Sequence, residues 1–298
     1  MTLTVGLAGI TGKFGTLLAT SLLRNPSISL RGYARDPSKL SATLSSSPNL
    51  HLTRGEAFDA STLAPFVTGC DVVICSYLGD DKLMTDGQKL LIDACEAAGV
   101  PRYIASDWTL DYTKLAPGEI ASKDPMKVVK AYLETKEKVK GVHIFIGGFM
   151  DTLLSPFFQM WDPATQTFRY WGEGDEVWEA TSYKNAAEFT AAVAADEKAV
   201  GIQKFIGDRA TIKQIAASIG RATGTEPKLE RLGSLEELKT LMIETRDKNP
   251  ANIYAYLPYF YKYYMTNGQT LFGPETDNAK YPDVKAESWE DFVRRSRQ

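Results

Sequence analysis

Three glycines near the head of the chain, Gly9, Gly12 and Gly15, form the pattern G-x-x-G-x-x-G within the segment GITGKFG. The run 2–8 before them is short and β-rich, and the run 12–24 places apolar residues at helical spacing. Where a strand turns sharply into a helix, backbone N–H groups point outward at the positive end of the helix dipole. Glycines let that backbone come close to an anion. The chemistry on offer is the grip of a pyrophosphate, with Gly9, Thr11, Gly12, Lys13 and Phe14 as its cradle. The spacing alone is weak evidence; its place between a strand and a helix gives it force.

The next strand says which dinucleotide. A site for the form without a 2′-phosphate usually ends this strand in Asp or Glu, which binds the ribose hydroxyl. Here the strand expected over 29–34 ends in Arg35, and Lys39 follows four residues later. Two cations suit a 2′-phosphate, so NADP(H) is expected rather than NAD. Asp36 argues against this, but Asp36-Pro37 reads as the start of a turn that aims the carboxylate elsewhere.

Reducing a carbonyl by hydride also requires an acid near the nicotinamide. Tyr132-Leu-Glu-Thr-Lys136 forms a Tyr-x-x-x-Lys pair, but Lys136 precedes Gly141, the head of the sixth strand, by only five residues. If the helix runs over 125–140, that pair lies at its far end. Lys130, eleven residues before Gly141, lies about three turns back. This register makes Lys130 the candidate acid and a candidate for orienting the ribose hydroxyls. Met126 occupies the place of a tyrosine partner.

The elements that must hold these groups alternate. Further strands are expected over 49–53, 71–77, 102–106 and 142–147, with a helix over 86–98 ended by Gly99. Repeated βα units with right-handed crossovers give an α/β fold, a doubly wound parallel sheet of the Rossmann type. The domains expected are 1–150, binding the dinucleotide, and 151–298, a smaller, irregular substrate-binding cap whose chain crosses back to the sheet. Aromatics crowd 150–183 and 252–265, with a helix expected over 185–195, a strand over 204–206 and a helix over 211–223.

Composition excludes other classes. The chain has 298 residues, a net charge of −3, 44% hydrophobic and 24% charged residues, as ordinary globular domains have. No basic stripe supports nucleic-acid binding; Arg294, Arg295 and Arg297 read as the end of a last helix. No window is apolar enough to cross a membrane, and no signal peptide is evident at the N-terminus. Cys70, Cys75 and Cys95 read as reduced core thiols of a cytoplasmic protein, and His51 and His143 lack partners for a metal site, so none is expected. A monomer or a homodimer with a small-molecule substrate fits these numbers.

The chain resembles the NmrA-like and isoflavone-reductase-like branch of the atypical short-chain dehydrogenase/reductases. The resemblance rests on GITGKFG, on Arg35 with Lys39, on VVICSYLG (72–79), on VPRYIASDW (100–108) and on the tail YPDVKAESWEDFV (281–293). It spans essentially the whole chain. It implies NADPH as cofactor, a single catalytic lysine matched here by Lys130, and Ser76, Tyr77, Leu78, Gly79 and Ser106 beside the riboses and nicotinamide. It places Gly148, Phe149 and Met150 over the nicotinamide. Asp107-Trp108-Thr109 stands where the family has Glu-Phe-Gly, which implies a different substrate. Trp108, Tyr112, Met150, Phe157 and Tyr264 are the candidate substrate wall, suited to a flat or hydrophobic molecule. The activity implied is reduction of C=O or C=C in an aromatic or unsaturated molecule. The branch also contains members that resemble redox sensors, which bind the dinucleotide without turnover.

Overall fold

The computed structural model describes residues 2–297. Strands β1 (Leu3–Ala8), β2 (Ile28–Ala34), β3 (Leu50–Arg54), β4 (Val72–Cys75), β5 (Arg102–Ile104) and β6 (Lys140–Phe145) alternate with helices α1 (Lys13–Leu23), α2 (Ala42–Ser45), α3 (Ala60–Val67), α4 (Gln88–Ala98) and α5 (Asp124–Glu134). After them come β7 (Gly148–Phe149), α6 (Met150–Leu153), β8 (Trp161–Asp162), β9 (Thr167–Trp171), β10 (Val177–Thr181), α7 (Tyr183–Ala195), β11 (Gly201–Lys204) and β12 (Asp208–Thr211). The chain ends with α8 (Ile212–Thr223), β13 (Lys228–Gly233), α9 (Leu235–Lys248), α10 (Ile253–Thr266) and α11 (Trp289–Ser296).

Two compact units result. The first takes the chain up to Trp108, Ser122–Phe145 and Ala186–Gln203; the second takes Thr109–Ala121, Ile146–Asn185 and everything from Lys204 onward. The first is built on a seven-stranded sheet ordered β11-β6-β5-β4-β1-β2-β3, with β1 to β6 paired in parallel. This is the doubly wound order, in which the winding reverses between β1 and β4. A strand at that centre is covered on both faces, and all four residues of β4 are buried. The second unit contains two three-stranded sheets, β12-β10-β7 and β13-β9-β8.

One helix departs from the sequence reading in a way that moves a candidate residue. The helix expected over 125–140 stops at Glu134. The cause lies on α4: the Glu96 carboxylate accepts from the N–H groups of Val139 (2.8 Å), Lys138 (3.1 Å) and Glu137 (3.2 Å). Those amides are drawn out of any helical ladder, and the same bonds, led by that from Val139, hold the Glu96 carboxyl below its usual range.

The three cysteines are buried and unpaired with one another. Burial pushes the Cys70 thiol up to about 11 and the Cys75 thiol to about 12, so neither is a thiolate near neutrality. No helix among the described residues is long and apolar enough to cross a membrane.

Candidate functional site

The glycine turn sits at the point where the sheet winding reverses. Gly9 follows β1 with φ +82°, and its N–H donates to the Tyr33 carbonyl at 2.9 Å, which ties the turn to the end of β2. A Cβ on Gly9 would lie 2.6 Å from the Ser76 carbonyl oxygen, and one on Gly15 would lie 2.3 Å from the Gly9 oxygen. The turn, the start of α1 and the end of β4 are therefore pressed together with no room for a side chain. Gly12 caps α1 without a side-chain acceptor, so the first turn of the helix keeps its donor character. A cradle of bare backbone at a helix N-terminus fits the pyrophosphate of a dinucleotide.

The end of β2 carries two exposed cations. Arg35 and Lys39 are exposed, and neither makes an ion pair among the described residues. Asp36 is turned into its own loop: Oδ1 accepts from the Ser38 hydroxyl (2.6 Å) and the Ser38 N–H (3.2 Å), capping the 3-10 turn Pro37–Lys39. The Ser38 hydroxyl chiefly holds that carboxyl below its usual range. The acidic residue beside Arg35 is thus engaged locally, as its position before a proline suggests.

The ends of β4 and β5 are joined by a residue that the sequence reading missed. Gln88 is fully buried at the head of α4, just after the π-helical turn Leu83–Gly87. Its Nε2 donates to the Met84 carbonyl (2.8 Å), and its Oε1 accepts from the Ser106 N–H (3.1 Å) and the Tyr103 hydroxyl (3.3 Å). Ser106 Oγ then donates to the Tyr77 carbonyl at 2.7 Å. A buried network satisfied at each member fixes the loops it joins. Among the candidates, Ser76 and Tyr77 lie against Gly9, and Ser106 is joined to them through the Tyr77 carbonyl. Among the described residues the Tyr77 hydroxyl is buried without a partner, and burial raises it far above the ordinary phenol range. Leu78 is 92% exposed beside it, and Gly79 is exposed too.

Trp108 closes this edge. Its φ is +37°, an uncommon value for a bulky residue, with a strain of about 1–3 kcal/mol. Its indole N–H donates to Thr190 Oγ1 at 2.8 Å, and its ring meets Phe14 of the glycine turn edge-on at 4.6 Å. The preceding Asp107 is buried against His143, with Oδ2 and Nδ1 2.7 Å apart. Asp107 and Trp108 are thus both braced, by His143 and by Thr190.

The lysines of α5 fall differently from the register count. Because the helix stops at Glu134, Lys130 lies one turn, not three, from its C-terminal end, and it pairs with Glu134. In a βαβ unit the helix N-terminus lies toward the C-terminal ends of the strands, where the dinucleotide binds. Lys127, one turn into α5 and paired with Asp124 at 2.9 Å, is nearer that edge. Tyr132 and Lys136 both bind Asp93, at 2.7 and 2.6 Å, and the Lys136 ammonium lies 4.0 Å from the Tyr132 ring. That pair braces α5 on α4, as its place at the far end of the helix foretells.

In the second unit the candidates divide. Tyr112 and Met150 are 0% exposed and Tyr264 is 8% exposed, so Tyr112 and Met150 pack the core rather than line a wall. Burial raises the Tyr264 hydroxyl to about 12. Gly148, Phe149 and Phe157 keep partial exposure, and the Phe149 ring lies 4.2 Å from that of Tyr183.

The model of a family described as NAD(P)H-binding matches residues 9–197. The chain belongs to that NAD(P)H-binding family. No curated protein matches it in sequence. Among solved structures, an isoflavone reductase superposes with a TM-score of 0.82 at 17% identity, over 99% of this chain and 100% of the other. A leucoanthocyanidin reductase–NADPH complex from Vitis vinifera gives 0.78 at 15%, over 98% and 99%. An NADPH-dependent quinone oxidoreductase complexed with NADPH, from Escherichia coli, gives 0.78 at 16%, over 99% and 100%. At these identities it is the fold that is shared, over the whole length. The family match begins at Gly9 and runs to residue 197, and so takes in the glycine turn, the end of β2 and the Gln88–Ser106–Tyr77 network.

Proposed function

We propose that this protein is an NADPH-dependent reductase that transfers hydride to a small aromatic or unsaturated molecule. The observation that carries the cofactor preference is the end of β2, where Arg35 and Lys39 are exposed and Asp36 is capped into its own turn. The reductase reading draws on solved structures of like fold, which include an isoflavone reductase and an NADPH-dependent quinone oxidoreductase.

The nicotinamide supplies the hydride when bound. The chain does the rest. Gly9, Thr11, Gly12, Lys13 and Phe14 hold the pyrophosphate, and Arg35 and Lys39 hold the 2′-phosphate. Gln88 fixes Ser106 and through it the Tyr77 loop along the ribose side, and Trp108 with Phe14 keeps water from the reacting edge. A lysine of α5 hands the proton to the reduced substrate. Lys130 is the residue named by register, and the shortened helix favours Lys127, which Asp124 positions.

Three measurements test this. Arg35→Ala is expected to weaken NADPH binding about tenfold and leave NADH within about twofold, read by fluorescence titration; an equal loss for both would remove the 2′-phosphate assignment. In a screen for NADPH oxidation against enones, quinones and aromatic ketones, turnover of at least one class is expected. Tight discrimination between oxidised and reduced dinucleotide with no turnover at all would make the protein a sensor. With the substrate so found, Lys127→Met is expected to lower kcat at least about tenfold with NADPH affinity retained, while Lys130→Met and Tyr132→Phe stay within about threefold. The reverse order would return the role to Lys130.

A further inference from the structure

The end of β3 carries a cation to which the cofactor assignment gives no task. Arg54 is the last residue of that strand and is exposed. It is paired in register with Ala34, the last residue of β2, so it stands beside the residue that precedes Arg35. Neighbouring strands lie about 4.8 Å apart, a gap that long side chains span, so guanidinium groups from the two strand ends can meet on one small group. The local packing holds Arg54 there. The Gly55 N–H donates to the Ala34 carbonyl at 3.1 Å, which carries the pairing one residue past Arg54. Tyr33, only 1% exposed, donates its hydroxyl to the Glu56 carbonyl at 2.8 Å and lies 2.7 Å from Thr62 Oγ1. A Cβ on Gly55 would lie 2.6 Å from that Thr62 oxygen and closer still to the Tyr33 hydroxyl. The chain leaving β3 is thus clamped onto the end of β2, at the edge where a doubly wound sheet binds its dinucleotide.

The donors of Arg54 are unused. Among the described residues every arginine except Arg35 and Arg54 donates a hydrogen bond to a carboxylate, a carbonyl or a hydroxyl. The two exceptions stand at neighbouring strand ends. Carboxylates are at hand, yet they are engaged elsewhere. Asp36 feels the charges of both Lys39 and Arg54, but its oxygen accepts from the Ser38 hydroxyl (2.6 Å) and N–H (3.2 Å). Asp59 accepts from the Ser61 hydroxyl (2.6 Å) and N–H (3.0 Å) at the cap of α3. Each acid follows the rule of its own turn and leaves the cations to solvent. Two planar guanidinium forks with free N–H groups, and an ammonium beside them, suit a group with several anionic oxygens, which a phosphate monoester has and a ribose hydroxyl lacks.

We propose that Arg54 is the third cation of the 2′-phosphate seat, reaching the phosphate from the end of β3 as Arg35 and Lys39 reach it from the end of β2, and that it shares with Arg35 the setting of preference for the phosphorylated dinucleotide. This rests on the reading of the β2 end as a 2′-phosphate site and is independent of which substrate is reduced.

The test titrates the full chain calorimetrically with NADPH, NADH, 2′,5′-ADP and 5′-AMP, as the parent and as Arg54→Ala, Arg54→Lys and Arg54→Glu, with Arg35→Ala alongside. Arg54→Ala is expected to weaken NADPH and 2′,5′-ADP about fivefold and to leave NADH and 5′-AMP within about twofold. Arg54→Glu, which sets a carboxylate against the phosphate, should weaken NADPH at least about thirtyfold, and Arg54→Lys should recover most of what alanine loses. The affinity of Arg54→Ala for NADPH should also fall less steeply with added salt than that of the parent. Since the side chain is exposed, each variant should melt within about 2 °C of the parent, which separates a lost contact from a damaged fold. If Arg54→Glu binds NADPH within twofold of the parent while Arg35→Ala keeps its selective loss, Arg54 has no part in the seat and the NADPH reading stands without it. An equal loss of NADPH and NADH in Arg54→Ala likewise overturns the assignment. Should Arg35→Ala also fail to distinguish the two dinucleotides, the 2′-phosphate reading itself falls, and Arg54 with it.

Discussion

Replacing Gly15 by alanine is expected to weaken dinucleotide binding at least about a hundredfold while the sheet remains folded. The new Cβ would lie 2.3 Å from the Gly9 oxygen and 3.1 Å from the Ile10 Cα. Both neighbours are backbone, so no rotamer change relieves the overlap. Either α1 moves away from β1 or the turn opens, by roughly an ångström, and backbone N–H groups that must meet phosphate oxygens near 2.9 Å lose their aim. Gly9→Ala should fail as badly, since it adds the strain of φ +82° to a 2.6 Å approach to Ser76. Gly99→Ala is the control: at the C-cap of α4 its Cβ meets nothing within 4 Å, so only the left-handed backbone opposes it, at about 1 kcal/mol of stability. NADPH titration with far-UV circular dichroism distinguishes the cases. Binding by Gly15→Ala within threefold of the parent would mean that the pyrophosphate lies elsewhere.

The parts of the site that were legible in the sequence are those fixed by neighbours in the chain. The glycine spacing, the cations after β2 and the capping of the 37–39 turn by Asp36 are settled within a few residues, and β4 is a continuous apolar run because both its faces are buried. What was not legible depends on distant residues. Counting eleven residues from Lys130 to Gly141 presumes an unbroken helix, and Glu96, some forty positions earlier, takes the amides that would have extended it. Gln88 reads as one polar position on an amphipathic helix, yet it is fully buried as the joint between β4 and β5. The small sheets escape the pattern because β8 has two residues and β13 leaves five of its six exposed. Aromatic composition likewise cannot separate core from wall: Tyr112 is 0% exposed, while Phe157 keeps partial exposure. In α10, Lys262 is a single charge among aromatics, and only the fold reveals that it is buried.

Arg102→Met is expected to lower the stability of the protein by about 3–5 kcal/mol, the range for removing one partner from a buried charged network. Arg102 opens β5 and is 3% exposed. Its guanidinium donates to the carbonyls of Val193 (3.0 Å), Ala194 (2.7 Å) and Asp196 (2.7 Å), around the last turn of α7. A helix C-terminus presents carbonyls that the helix itself cannot satisfy, at the negative end of its dipole. One side chain meets both demands, with a fork that reaches three acceptors and a charge of the right sign. Methionine nearly fills the space, so little of the loss can be assigned to a cavity; what disappears is the donor set. The denaturant midpoint should fall with its slope unchanged, and Tm should fall by roughly 10 °C, at about 2–4 °C per kcal/mol for a domain of this size. Lysine separates the two demands: it restores the charge but brings a point ammonium in place of a planar fork, so about half of the loss should return. Full recovery by lysine would show that the dipole alone matters. A methionine variant as stable as the parent would show that water satisfies these carbonyls and that the arginine contributes nothing there.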